Sequence, residues 1–215
     1  MARLVLIRHA ESVANAERRF THGPYEPLTA RGREEALRTG RRLLGRIDPV
    51  ALYASPFVRA IETARLVGAA LGLEPRIVED LREQDFGELR GRPYADYGAD
   101  PAASGAGRWA HRPPGGETLA EVAQRAGRAL DAIASAHLGE EVVIVSHGAV
   151  MAALRGWVRQ RFDEAPVPTS NTSGYLLLRS VQRYEGPLPL PIDDTADASA
   201  SGSVTGSEQR RPRHT

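Results

Sequence analysis

Cysteine and lysine are both missing from this chain of 215 residues. Without cysteine there is no disulfide, no thiolate nucleophile and no Cys-based zinc site. Without lysine, Schiff-base chemistry and the Walker-A phosphate loop are excluded. All 28 basic side chains are therefore arginine, a planar fork that suits phosphate. Long hydrophobic runs are lacking too: the first apolar run, residues 4–7, is far too short for a signal peptide or a membrane span. An excess of one charge is also lacking. A formal net charge of +1 argues against a nucleic acid or a membrane surface as the main partner. What remains, 41% hydrophobic and 26% charged residues, suits one soluble globular domain with a sizeable core. A cytoplasmic location is the expectation.

Apolar runs at residues 4–7, 51–54, 76–78 and 142–145 read as buried strands, with a fifth at 175–178. Helical patterns alternate with them. Thr29 caps a helix over about 30–45, with Ala36, Leu37, Gly40, Leu43 and Leu44 on one face. Ser55-Pro56 reads as a helix start, because Ser can cap and Pro suits the first helical position. Thr118-x-x-Glu121 is a capping box opening a third helix, whose apolar stripe runs through Leu119, Val122, Ala126, Leu130 and Ile133. A fourth helix runs from near Gly148 to about Arg159. This alternation predicts an α/β fold: a mostly parallel central sheet with helices on both faces. Residues 84–117 have no clear period and read as a small capping insertion within a domain spanning 1–185. The Pro-, Ser-, Asp- and Gly-rich residues 186–215 read as a disordered tail, its terminal arginines solvated.

Phosphoryl transfer needs cations around three equatorial oxygens, an in-line nucleophile and an acid for the leaving oxygen. Each part stands at a strand end or in a neighbouring loop. Arg8 and His9 follow the first strand, at the ligand-binding edge of an open α/β sheet. Arg59 lies one turn into the helix after Ser55-Pro56, and Glu83 follows the third strand. His147-Gly148 ends the strand at 142–145, where a helix begins whose N–H groups favour an anion. Any one of these residues alone reads as a capped histidine, a surface arginine or a solvated carboxylate. Two His, two Arg and one Glu at separate strand ends are not a packing requirement.

The stretch Arg8-His9-Ala10-Glu11-Ser12, with Asn15 beyond it, resembles the R-H-G-[EQ]-[ST]-x-x-N signature of the histidine phosphatase superfamily, the phosphoglycerate-mutase-like proteins. Ala10 stands where that signature carries Gly. Leu28-Thr29-x-x-Gly32 is similar to the family's L-[ST]-x-x-G, and the likeness covers roughly residues 3–180. It implies that His9 becomes a phosphohistidine, that Arg8, Arg59 and His147 clamp phosphoryl oxygens, and that Glu83 protonates the leaving alcohol. It further implies a phosphate contact from Asn15 and a substrate loop at Thr21, with His22 where mutases carry Gly.

Within that family two reactions compete: phosphomonoester hydrolysis, and the cofactor-dependent phosphoglycerate mutase reaction. A non-catalytic phospho-ligand-binding module is the third reading. The stretch between Glu83 and His147 resembles the shorter one of the phosphatases, in Glu83-Gln84-Asp85-Phe86-Gly87-Glu88 and in Pro114-Gly115-Gly116-Glu117-Thr118. Its mixture of Arg90, Arg92, Arg108 and Arg112 with Tyr94, Tyr97 and Trp109 suits one phosphate plus an organic group. The expectation is a metal-independent phosphatase without a cofactor, acting on a small phosphorylated metabolite. Asn15, Thr21, His22, Arg90, Trp109 and Gly148 are the expected substrate contacts. A homodimer is left open. A zinc site on His9 and His147 is disfavoured, since two arginines beside it repel a dication. His111, His137 and His214 are assigned to loop, helix surface and tail. Glu34-Glu35 and Glu140-Glu141 are assigned to solvated charge.

Overall fold

The continuous apolar runs at the first and fourth predicted strands lie at the centre of one six-stranded sheet, as they must if both their faces are covered. The computed structural model describes residues 1–98, 105–181 and 183–190. The strands are β1 (Ala2–Arg8), β2 (Pro49–Ala54), β3 (Pro75–Ile77), β4 (Glu141–Ser146), β5 (Gly174–Arg179) and β6 (Tyr184–Leu188), in the order β3-β2-β4-β1-β5-β6. β1 through β4 are mutually parallel, whereas β5 runs antiparallel to β1 and β6 antiparallel to β5. The helices are α1 (Val13–Ala16), α2 (Ala30–Leu43), α3 (Val58–Leu71), α4 (Tyr94–Gly98), α5 (Leu119–Ala136) and α6 (Gly148–Arg159).

Strand periodicity splits the core into two layers. Leu4 and Leu6 of β1, with Val142 and Ile144 of β4, pack under α5 and α6 against Val122, Leu130, Met151 and Leu154. Val5, Ile7, Val143 and Val145 point to the other face, against Leu43 of α2 and Ala60, Ala64 and Val67 of α3. Register then aligns the strand ends: Arg8 stands opposite Ser146, while Ala54 stands opposite both Val145 and Ile77. The residues that follow, His9, Ser55, Val78 and His147, are thereby delivered to one edge.

Four expectations are corrected. α3 starts at Val58 with Phe57 at its cap and no side-chain cap bond, so Ser55 is not a helix cap. The domain does not stop at 185: β6 continues through Leu188 and Leu190 is buried, because β5 offers an unpaired edge to which this segment adds. The remaining tail call, 191–215 with His214, lies outside the described residues. His137 is not on a helix surface but buried, 2.8 Å from the Tyr53 hydroxyl and 2.7 Å from Glu140. Glu141 is buried in β4, where it accepts from Arg3 and from the Asp48 N–H, and Glu35 accepts from the Glu11 N–H. No helix among the described residues is long and apolar enough to cross a membrane.

Candidate active site

His9 is the first residue past β1, and its imidazole is held in one tautomer. Nδ1 lies 2.7 Å from the Ala10 carbonyl, which can only accept, so Nδ1 carries the proton. Nε2 is left as a lone pair, which accepts from Arg59 Nε at 3.2 Å. The backbone is pinned on both sides: His9 N–H donates to the Ser146 carbonyl, and Asn171 Nδ2 donates to the His9 carbonyl at 2.8 Å. Burial, then the charges of Arg59 and Arg8, hold the His9 pKa well below the ordinary imidazole value, with only the Ala10 bond opposing them.

His147 lies behind His9, their ring centroids 5.1 Å apart. Its Nε2 is 2.6 Å from Ser55 Oγ, which already accepts from the Phe57 N–H. Ser55 is fully buried, and among the described residues its hydroxyl proton has only His147 Nε2 to go to. That places the His147 proton on Nδ1, a buried atom without a hydrogen-bond partner among the described residues. Burial lowers the His147 pKa well below the imidazole value, assisted by Arg59, His9, Arg8 and Arg125. Two adjacent neutral imidazoles result, one presenting a lone pair and the other an N–H.

Arg59 projects from the first turn of α3, with Nη1 3.4 Å from Thr21 Oγ1 and the guanidinium 5.0 Å from the Phe57 ring. Burial draws its pKa down, and Glu83 and Glu26 counter that. Arg8, at the end of β1, donates from Nη1 to the Thr169 carbonyl at 2.6 Å, while its buried Nε has no partner among the described residues. Glu83 faces the same space, half-buried, its Oε1 accepting from the Gln84 N–H at 3.0 Å. These groups open onto a cavity of about 490 Å³, ordinary for a small-molecule site. Arg8, His9, Arg59 and Glu83 line it together with Asn15, Thr21 and Gly148. Among the described residues no three acidic or histidine side chains gather as a metal site.

Three expected contacts are not there. Trp109 is buried in the core, its Nε1 bonded to the Glu164 carbonyl and its ring over Gly156; an indole this large fills volume between helices. Arg90 is exposed and paired with Asp85 at 2.6 Å. His22 is exposed and stacks against Gly91, away from the cavity. Other residues line it instead. Phe20, Phe86, Tyr94, Tyr97, Leu119, Ala152, Pro166 and Pro168 make an apolar wall, with Arg108 set into it. Arg108 donates to Gln84 Oε1 at 2.6 Å and lies 5.0 Å from the centre of the Tyr97 ring. Asn171 bridges to Asn15 Oδ1 at 3.1 Å and so couples that residue to the His9 backbone. Nothing local in residues 165–171 signals this role. For Ser55 a signal existed, its place four residues before Arg59 at a strand end.

The chain matches the histidine phosphatase superfamily (branch 1) over residues 4–182. It is 35% identical to a metal-independent phosphoserine phosphatase of Arabidopsis thaliana over 159 residues, which are 70% of this chain and 66% of that protein. It is 34% identical to a 2,3-bisphosphoglycerate-dependent phosphoglycerate mutase 2 of Gloeobacter violaceus, over 72% of this chain and 74% of the other. Its fold superposes with a TM-score of 0.75 on a mycobacterial glucosyl-3-phosphoglycerate phosphatase complexed with VO3, at 27% identity, covering 85% of this chain and 96% of that one.

Proposed function

This chain belongs to the histidine phosphatase superfamily, and from that premise we propose that it hydrolyses phosphomonoesters through a phosphohistidine on His9 Nε2. The observation that carries this reading is the His9 tautomer: a neutral imidazole whose lone pair meets a buried guanidinium at the floor of a cavity. Arg8, Arg59 and the Nδ1–H of His147 take the three phosphoryl oxygens, so that Arg59 releases the His9 lone pair when phosphate arrives. His9 Nε2 attacks phosphorus, the P–O bond to the alcohol breaks, and Glu83 delivers its proton to the departing oxygen. In the second half Glu83 takes a proton from water, water oxygen attacks phosphorus, and the P–N bond returns its electrons to His9. Cations already occupy the positions a metal would serve, so the reaction needs none.

Mutase chemistry is the second reading, favoured by the Gloeobacter relative and by Arg108. Hydrolysis is better supported, because the outer wall is mainly aromatic and aliphatic. A bisphosphate places charge at both ends, and desolvating its second phosphate against Phe and Tyr rings is unfavourable. The substrate class that fits is a phosphate ester of an organic group with apolar surface. The test is phosphate release from an aryl ester and a panel of alkyl esters, with strong chelator present. Loss of activity on chelation, restored by a divalent ion, excludes the metal-free mechanism. Isomerisation of 3-phosphoglycerate outpacing its hydrolysis, with 2,3-bisphosphoglycerate supplied, makes the mutase reading correct.

A further inference from the structure

The proton donor sits on an irregular segment, and irregular segments do not by themselves hold a carboxyl group in place. Residues 80–85 contain only a short 3-10 turn, Glu79–Leu81, and extended backbone after it. What fixes them is Arg125, buried on α5. Its Nη1 donates to the carbonyls of Asp80 and Arg82, both at 2.8 Å, and its Nη2 donates to the carbonyl of Glu83 at 3.1 Å. Nε and Nη2 also donate to the Glu117 carboxylate at 3.0 and 2.9 Å. All five guanidinium N–H groups are thus used, three of them on the backbone that carries Glu83.

Glu117 completes the bracket from the residue before the α5 cap. Its Oε2 accepts from the Asp85 N–H at 3.0 Å, and its backbone pairs with Gln84 and Asp85. The carbonyls on one side of Glu83 and the amide on the other are therefore tied to a single ion pair, whose arginine is buried and whose carboxylate is half-buried. We propose that Arg125 and Glu117 are positioning residues, which set the height and direction of the Glu83 carboxyl over the cavity and thereby govern protonation of the leaving group. The proposal rests on the reading of Glu83 as proton donor. Neither side chain touches the cavity, and neither is needed for His9 to attack phosphorus.

A lysine at 125 keeps the charge but cannot span both the carbonyls and Glu117, since it has three donors at one point instead of a five-donor fork. Displacing an acid by about an ångström can cost on the order of a hundredfold in rate. The experiment compares Arg125→Lys, Glu117→Gln and Glu83→Gln on an alkyl phosphate and on p-nitrophenyl phosphate, whose leaving group departs without a proton. Circular dichroism and melting identify any variant that fails to fold, and Glu117→Gln, nearly isosteric, is the milder probe. The quantity read is kcat/KM, which reports only the steps up to release of the alcohol and not the later attack of water. The expected result is a loss of roughly 10- to 100-fold on the alkyl ester for Arg125→Lys and Glu117→Gln. The aryl ester should lose on the order of threefold or less in kcat/KM. In the Glu83→Gln background, adding Arg125→Lys should cost almost nothing further on the alkyl ester, because both changes remove one function. Equal losses on both esters, or additive losses in the double variant, overturn the proposal and leave a purely structural ion pair. Should Glu83→Gln itself show no leaving-group dependence, the donor assignment fails first and the positioning role falls with it.

Discussion

In the proposed mechanism, a single backbone carbonyl decides which nitrogen of His9 attacks. With Nδ1–H committed to Ala10, only Nε2 keeps a lone pair, and burial beside two arginines keeps it unprotonated. The sign follows directly: a lowered pKa leaves the imidazole neutral further into acid. The acid limb of kcat/KM should therefore lie below the ordinary imidazole value of about 6.5, and a pH–rate profile will locate it. A limb at or above that value contradicts the burial argument. His9→Ala should abolish turnover, a barrier increase of roughly 4 kcal/mol or more. Acid-quenched mass spectrometry of the wild type should find the label on the peptide containing His9. A label on the His147 peptide reverses the assignment. Trp109 makes the opposite point, since an aromatic in a phosphate-site insertion invites a substrate role and the fold gives it a core one. Trp109→Ala should cost about 3–5 kcal/mol in denaturant unfolding and leave KM nearly unchanged. Arg108→Ala should do the reverse, raising KM with little effect on stability.

At the scale of elements, legibility follows how locally each one is determined. β1 and β4 are readable because a strand covered on both faces must be apolar throughout. The α5 capping box is readable because Thr118 and Glu121 satisfy each other's backbone within one turn. β6 is not: its sequence holds Gly186 and Pro187, and only the free edge of β5 makes it a strand. The start of α3 misleads for a related reason, since Ser55 has two uses and the buried His147 takes the hydroxyl that a helix cap would need. α2 is packed by a glycine. A Cβ at Gly32 would stand 2.0 Å from the Glu11 carbonyl oxygen, which also accepts from the Thr29 N–H. Gly32→Ala should push α2 off that carbonyl, costing about 1–3 kcal/mol in stability. Because Glu11 lies two residues from His9, kcat should fall as well. Denaturation and turnover measured on one preparation check both effects.

The whole molecule carries the cost of its site in its pH dependence. His9 and His147 have folded-state pKa values below those of the unfolded chain, so the unfolded state binds more protons as pH drops. Their contribution to stability is complete above about pH 6.5 and is lost progressively below it, by up to about 1.4 kcal/mol per pH unit for each imidazole. Urea unfolding followed from pH 7.5 to 5.5 should show this slope, and a His9→Asn/His147→Asn double variant should flatten it. An unchanged slope in that variant means that other groups carry the acid sensitivity. Sequence alone determined the α/β class, the places of five strands (though β3, read as buried, is an exposed edge strand) and the candidate set of two His, two Arg and one Glu, because strand-end position and residue type are local properties. Tertiary structure alone decided the rest: the tautomer of His147, the apolar wall, the bracket behind Glu83 and the burial of Trp109, His137 and Glu141. Each of these depends on groups far apart in the chain, such as Arg125 and Asp80 or Ser55 and His147, which only the packing of helices on the sheet brings within hydrogen-bond reach.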